Sequence, residues 1–185
     1  MPRLPDPLCE EDRRALLEAA RRAIRAKLEE QPAPAAPDRE TLRRECGAFV
    51  SLHIGERLRG CIGMIESRAP LAATVARVAV NAAFDDPRFP PLTAEELASV
   101  KIEISVLSPM RAAAPEQIEP GRDGLWIRKG GFSGLLLPQV AARYGWSRER
   151  FLEETCRKAG LDPQAWRDAE TLIHAFTAEV FSENR

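Results

Sequence analysis

From Gly47 onward apolar and polar residues alternate: Val50, Leu52 and Ile54 are apolar, and Ser51 and His53 between them are polar. Such period-two alternation predicts a strand with one buried face. A second run, Leu58 to Ile62, follows Gly55, so the pair reads as a hairpin. A two-residue loop would pair Ile54 with Arg57 and Leu52 with Arg59, putting arginines on the oily face. A three-residue loop, Gly55-Glu56-Arg57, pairs Ile54 with Leu58 and Val50 with Ile62. That register is the expected one, because a buried face pins strand pairing. It sets Ser51 opposite Cys61 and His53 opposite Arg59, all four on the second face.

The rest of the chain mixes the two periods. Helices are expected over about 10–30, with Leu16, Leu17, Ala20, Ile24 and Leu28 on one side, and over Pro70 to Phe84, with Leu71, Val75, Val78 and Ala82. Between the first helix and the hairpin, the proline-rich stretch 31–37 reads as an extended linker, leaving a core over about 41–183. Thr93 caps a short helix, Lys101 to Leu107 alternates as a strand, and Leu125 to Lys129 with Phe132 to Leu137 forms a second hairpin around Gly130-Gly131. Pro138 opens a helix, Ser147 to Ala159 is another stopped by Gly160, and Asp162-Pro163 begins a short one. Thr171 to Phe181 closes the chain as one strand, in which His174 has no catalytic role. Interleaved elements with tight hairpins predict an α+β fold, a mainly antiparallel or mixed sheet with flanking helices in one domain.

Composition narrows the function classes. Twenty-seven basic residues against twenty-eight acidic ones give a formal charge of -1, so bulk charge does not draw this chain to nucleic acid. The arginine-rich outer face expected on the first helix reads as a solvated surface; the alternative, a helix that faces nucleic acid, is the less favoured, since aromatics at 6% offer no stacking platform. No apolar run approaches the roughly 18 residues of a membrane span, and residues 1–6 carry no apolar signal core. The expectation is a soluble, cytoplasmic protein with reduced thiols. Cys9, Cys46, Cys61 and Cys156 form no C-x-x-C pair, and only His53 and His174 accompany them, so neither a metal site nor a cofactor is expected.

No G-x-S-x-G, H-E-x-x-H, phosphate-binding loop or dinucleotide fingerprint is present. What remains is Leu58-Arg59-Gly60-Cys61-Ile62-Gly63. Flanking glycines remove side chains that would shield the sulfur, and a nearby guanidinium favours the thiolate, which is the nucleophile. The alternatives are a cysteine packed in a tight strand, and an Arg59 that binds a carboxylate or phosphate without a covalent step. Cys156, on the buried face of its helix, reads as a small hydrophobe. Glu103 either faces solvent or pairs with an arginine. Asp85 and Asp86 oppose the helix dipole, so Arg88 or a ligand should offset them, or Asp86 forms a turn before Pro87.

At these residues the chain resembles a known family. The hexapeptide, Asp86-Pro87-Arg88-Phe89-Pro90-Pro91, Ile102-Glu103-Ile104-Ser105-Val106-Leu107-Ser108 and Leu135-Leu136-Leu137-Pro138-Gln139-Val140-Ala141 occur in order. With Gly145-Trp146, Phe151-Leu152, Cys156-Arg157-Lys158-Ala159-Gly160-Leu161 and Trp166, they resemble the AMMECR domain family over about Arg13 to Glu183. The resemblance implies a larger and a smaller subdomain around a cleft. It implies partners too: a Memo-like protein and a radical-SAM protein. Its hallmark falls on Arg59, Gly60, Cys61 and Gly63, and Asp86, Arg88, Glu103 and Gln139 lie in the other blocks. Ser51 and His53 are outside that pattern and rest on the register alone. Arg143 and Tyr144 stand where many relatives are acidic.

The expected site joins these residues: Cys61 as candidate nucleophile or radical-compatible thiol, Arg59 as anchor for a small anionic ligand or peptide segment, and Glu103 orienting Arg59. Gly60, Gly63, Ser51, His53, Asp86, Arg88 and Gln139 complete the binding set. The alternative is a non-catalytic scaffold that presents a substrate to the two partners.

Overall fold

The computed structural model describes residues 7–184; residues 1–6, with the absent signal core, lie outside them. In chain order the elements are α1 (Glu10–Leu28), β1 (Ala48–Ile54), β2 (Arg57–Met64), α2 (Leu71–Phe84), α3 (Ala94–Ser99) and β3 (Lys101–Leu107). Then come β4 (Arg111–Ala112), β5 (Gly124–Lys129), β6 (Phe132–Leu136), α4 (Pro138–Tyr144), α5 (Arg148–Lys158), β7 (Leu172–Phe176) and β8 (Ala178–Ser182). The fold is α+β, and the chain divides into two compact units. The larger runs to Leu107 and adds the segment from Glu179, and the smaller is Ser108–Ala178.

The first unit holds a sheet ordered β2-β1-β3-β8. Val50, Leu52, Ile102 and Ile104 are fully buried, packed with Leu16, Ala20 and Ile24 of α1 and Val75, Val78 and Ala82 of α2. Acidic residues in the first turn of α1 and basic ones in its last suit the helix dipole. Thr93 caps α3 in a reciprocal capping box with Glu96.

The second unit holds a sheet ordered β4-β7-β5-β6. Leu125, Ile127, Ile173 and Ala175 pack against Phe151, Leu152 and Cys156 of α5. Fully buried Cys156 is the small hydrophobe the pattern predicts, and burial pushes its thiol pKa up. Ser147 caps α5, and the helix expected at Asp162-Pro163 is only a short 3-10 turn, Ala165–Arg167.

The expected closing strand is two strands in two sheets, broken at Thr177. Thr177 donates its N–H to Ser108 Oγ at 2.9 Å and accepts from the Ser108 N–H at 2.9 Å. Apolar alternation continues through the break, so the sequence carries no mark of it.

Candidate functional site

Val50 pairs with Ile62 and Ser51 with Cys61, as the apolar face requires, but the predicted register fails nearer the turn. The turn is two residues, Gly55-Glu56, with Gly55 at φ +58°, which glycine adopts without the strain of a Cβ. Ile54 therefore pairs with Arg57 and His53 with Leu58, not with Arg59. The register shifts between Leu52 and His53, and Arg59 is the extra residue of a bulge. A bulge keeps Leu52 off Arg59 as well as a longer loop does, and a binary pattern does not distinguish them.

β2 is an edge strand. The N–H of Cys61 donates to Asp86 Oδ2 at 2.8 Å, and the Cys61 carbonyl accepts from Arg88 Nη2 at 3.2 Å. Both of its backbone groups thus point away from β1, which makes Ser51 and Cys61 a non-hydrogen-bonded pair with side chains close together. Asp86 and Arg88 are also joined through Nε at 2.9 Å and Nη2 at 2.7 Å, and Asp86 Oδ1 accepts from the Arg88 N–H at 3.1 Å. The turn before Pro87 and the Arg88 counter-charge are therefore both present. The Arg88 guanidinium holds the Asp86 carboxyl well below its usual range, helped by the two backbone N–H groups and opposed by burial.

On the side-chain face, Ser51 Oγ donates to Cys61 Sγ at 3.2 Å. Glu103 is the partner of Ser51 on β3, so thiol, hydroxyl and carboxylate form a row across β2, β1 and β3. Glu103 is half-buried, and its carboxylate makes no hydrogen bond or ion pair among the described residues. His53, half-buried between Leu58 and Lys101, lies one row further along.

Arg59 is placed otherwise than expected. It donates through Nε and Nη2 to the Glu96 carboxylate, both at 2.8 Å, and through Nη2 to the Pro91 carbonyl at 3.3 Å. Glu103 does not orient it, and no hydrogen bond joins it to Cys61. The bulge aims this side chain at α3. Phe89 lies under two guanidiniums, 6.0 Å from Arg59 and 5.4 Å from Arg88. The Arg59 bonds, with the N–H of Thr93, hold the Glu96 carboxyl below its usual range.

The hallmark glycines are close-approach positions. A Cβ on Gly60 would sit 2.1 Å from the Ala82 carbonyl oxygen of α2, and one on Gly63 would sit 2.2 Å from the Phe49 ring. Gln139 belongs to the second unit, half-buried at the start of α4. Cys9, Cys46, Cys61 and Cys156 are all free thiols, and burial raises the pKa of Cys46. Among the described residues no cluster of three or more metal-ligating side chains exists, and no helix is long and apolar enough to cross a membrane.

The AMMECR1 family model matches residues 17–181, which takes in both units. The chain belongs to the AMMECR1 family. Protein PF1979 of Pyrococcus furiosus is 43% identical over 184 residues, 91% of this chain and 86% of that protein. Protein TK0174 of Thermococcus kodakarensis is 46% identical over 153 residues, 77% of this chain and 75% of that protein. Among solved structures, the crystal structure of protein PH0010 from Pyrococcus horikoshii matches with TM-score 0.85 and 42% identity, covering 91% of this chain and 90% of that one.

In this AMMECR1 chain two residues escaped the sequence reading. Glu96 was signalled only as the fourth residue of a Thr93-x-x-Glu96 capping box, which anchors its carboxylate and makes it a ready partner. Phe89 lay inside the Asp86–Pro91 block and is the ring on which both guanidiniums rest.

Proposed function

We propose that this AMMECR1 chain is a cytosolic component working with a Memo-like protein and a radical-SAM protein, in which Cys61 marks the site that binds or processes a small anionic ligand or a peptide segment. The observation that carries this reading is the treatment of Cys61 itself. Its backbone N–H and C=O are held by Asp86 and Arg88, while the residue is only half-buried and its sulfur lies in a row with Ser51 and the unpaired Glu103 carboxylate. Fixing a side chain through its backbone is how a reactive group is held ready without burying it. Arg59 is a positioning residue in this version: with Glu96 and Phe89 it holds the bulge beside Cys61. Its Nη1, buried without a partner, is the donor left over for an anion.

Cys61→Ser tests the reading. It should abolish the output of the reconstituted three-protein system while leaving the fold and binding to both partners unchanged.

One observation favours a scaffold instead. Gly60 and Gly63 fit against Ala82 and Phe49, and Arg59 ties β2 to α3, so much of the hallmark already has a structural task. In that reading Cys61→Ser retains full output, and loss of partner binding follows only from variants that disturb the first sheet.

A further inference from the structure

The free edge of β2 carries a pattern of its own. In an antiparallel pair, alternate residues turn both backbone groups away from the partner strand. Cys61 is one such residue, since its N–H and C=O reach Asp86 and Arg88. Gly63, two residues on and paired with Phe49, is by the same alternation another. Nothing among the described residues bonds to its outward N–H and C=O. Asp86 thus supplies an acceptor, and Arg88 a donor, at the places where a neighbouring strand would supply a carbonyl and an amide. One stretch of the edge is covered by side chains that imitate a strand, and at the next, half-buried stretch the outward backbone groups are left unbonded among the described residues.

We propose that the edge from Cys61 to Gly63 takes an extended peptide segment of a partner protein as an added strand. The inference rests on the reading of Cys61 as a functional thiol and narrows its occupant. A small anion can accept from N–H groups but has nothing to offer a carbonyl, whereas this edge presents both. The nearby positive charge is also largely spoken for: Arg88 is on Asp86, and Arg59 is on Glu96 with only its buried Nη1 unpaired. A peptide backbone matches the alternating donors and acceptors. It bonds first to both groups of Gly63. The half-exposed Arg88 then swings out and frees the Cys61 carbonyl for a third bond, at which point the peptide turns away from Asp86, which keeps the Cys61 N–H. The peptide residue opposite Cys61 has its side chain on the face of the thiol, at the 4.5–5.5 Å or so typical of cross-strand neighbours.

Disulfide tethering tests this on the full chain carrying Cys9→Ser, which removes the exposed thiol. The probe is acetyl-Val-Thr-Cys-Thr-Val-amide, activated as its mixed disulfide with 2-mercaptoethanol. Its comparison is the same peptide with alternate backbone nitrogens methylated. Exchange breaks the probe's disulfide, joins its sulfur to Cys61 and releases 2-mercaptoethanol, and mass mapping locates the adduct. The unmethylated peptide should resist about tenfold more 2-mercaptoethanol than the methylated one, as expected for two or three modest hydrogen bonds. Arg88→Ala should widen that gap by removing the competing donor. Equal retention of the two peptides, with Cys61 still labelled by 2-hydroxyethyl disulfide, overturns the added strand and leaves the thiol reading standing. Failure of every reagent to label Cys61 overturns both. A dimer formed through this edge that excess peptide does not dissociate replaces the peptide with a second copy of the chain.

Discussion

The backbone N–H of Cys61 is held by the carboxylate of Asp86, twenty-five residues away in sequence, at 2.8 Å. Asp86 sits just past the C-terminus of α2, where a negative charge is disfavoured by the helix dipole, and Arg88 supplies the compensating charge. An arrangement that is costly at the helix end is thus used to fasten an edge strand.

Arg88→Ala removes the donor to the Cys61 carbonyl and the bidentate partner of Asp86. Because its side chain is 54% exposed, the cost should be modest, about 1–2 kcal/mol. Amide exchange at Cys61 should accelerate while exchange in the centre of β1 stays near its original rate. The three tryptophans, Trp126, Trp146 and Trp166, all lie in the second unit. Unfolding of the first is therefore followed by exchange or circular dichroism, not by fluorescence.

The charge on Asp86 gives a pH signature. Its folded pKa lies below the ordinary 3.8, so its stabilisation is complete above that value and is lost only as pH falls below it toward the folded value. The stability difference between wild type and Asp86→Asn should be constant from pH 7 down to about 4 and shrink at lower pH. Denaturant titrations at stepped pH measure it. A difference that already fades between pH 7 and 5 would show that another group is responsible.

Gly60→Ala should destabilise the first unit by about 1–3 kcal/mol, since the new methyl meets a helix carbonyl instead of a yielding side chain. The second unit, monitored by tryptophan fluorescence, should be unaffected.

Much of this was legible beforehand because it depends on period. The buried face of β1 fixed Val50 against Ile62 and Ser51 against Cys61, and the helical stripe of α2 and Leu16, Ala20 and Ile24 of α1 are buried as expected, with Leu17 and Leu28 partly so. What was not legible depends on single residues and on distant ones. A bulge at Arg59 adds one residue without disturbing the apolar pattern, so His53 was misplaced and Arg59 was expected on the wrong partner. Its ion pair with Glu96 joins residues thirty-seven apart, and the capping box that marks Glu96 does not tell which arginine its carboxylate receives. The break at Thr177 is hidden for the opposite reason: alternation runs through it unaltered, and only the bonds to Ser108 reveal the change of sheet.

The placement of Arg59 separates two ways of tuning the thiol. Since Arg59 is spent on Glu96 and Ser51 donates directly to the sulfur, Ser51→Ala should change the rate of Cys61 alkylation. Arg59→Ala should leave that rate in place while lowering stability by about 1–3 kcal/mol through loss of a bidentate, charge-assisted pair. The reverse ranking would mean that the guanidinium reaches the sulfur in solution.

The most direct measurement is native-state alkylation of the thiols by iodoacetamide, resolved by mass mapping. Cys61, only half-buried and with its backbone clamped, should react in the folded chain, whereas the fully buried Cys156 should react only on unfolding. If Cys61 is instead protected as completely as Cys156 until the first unit unfolds, its sulfur is a packing group and the proposed site is contradicted.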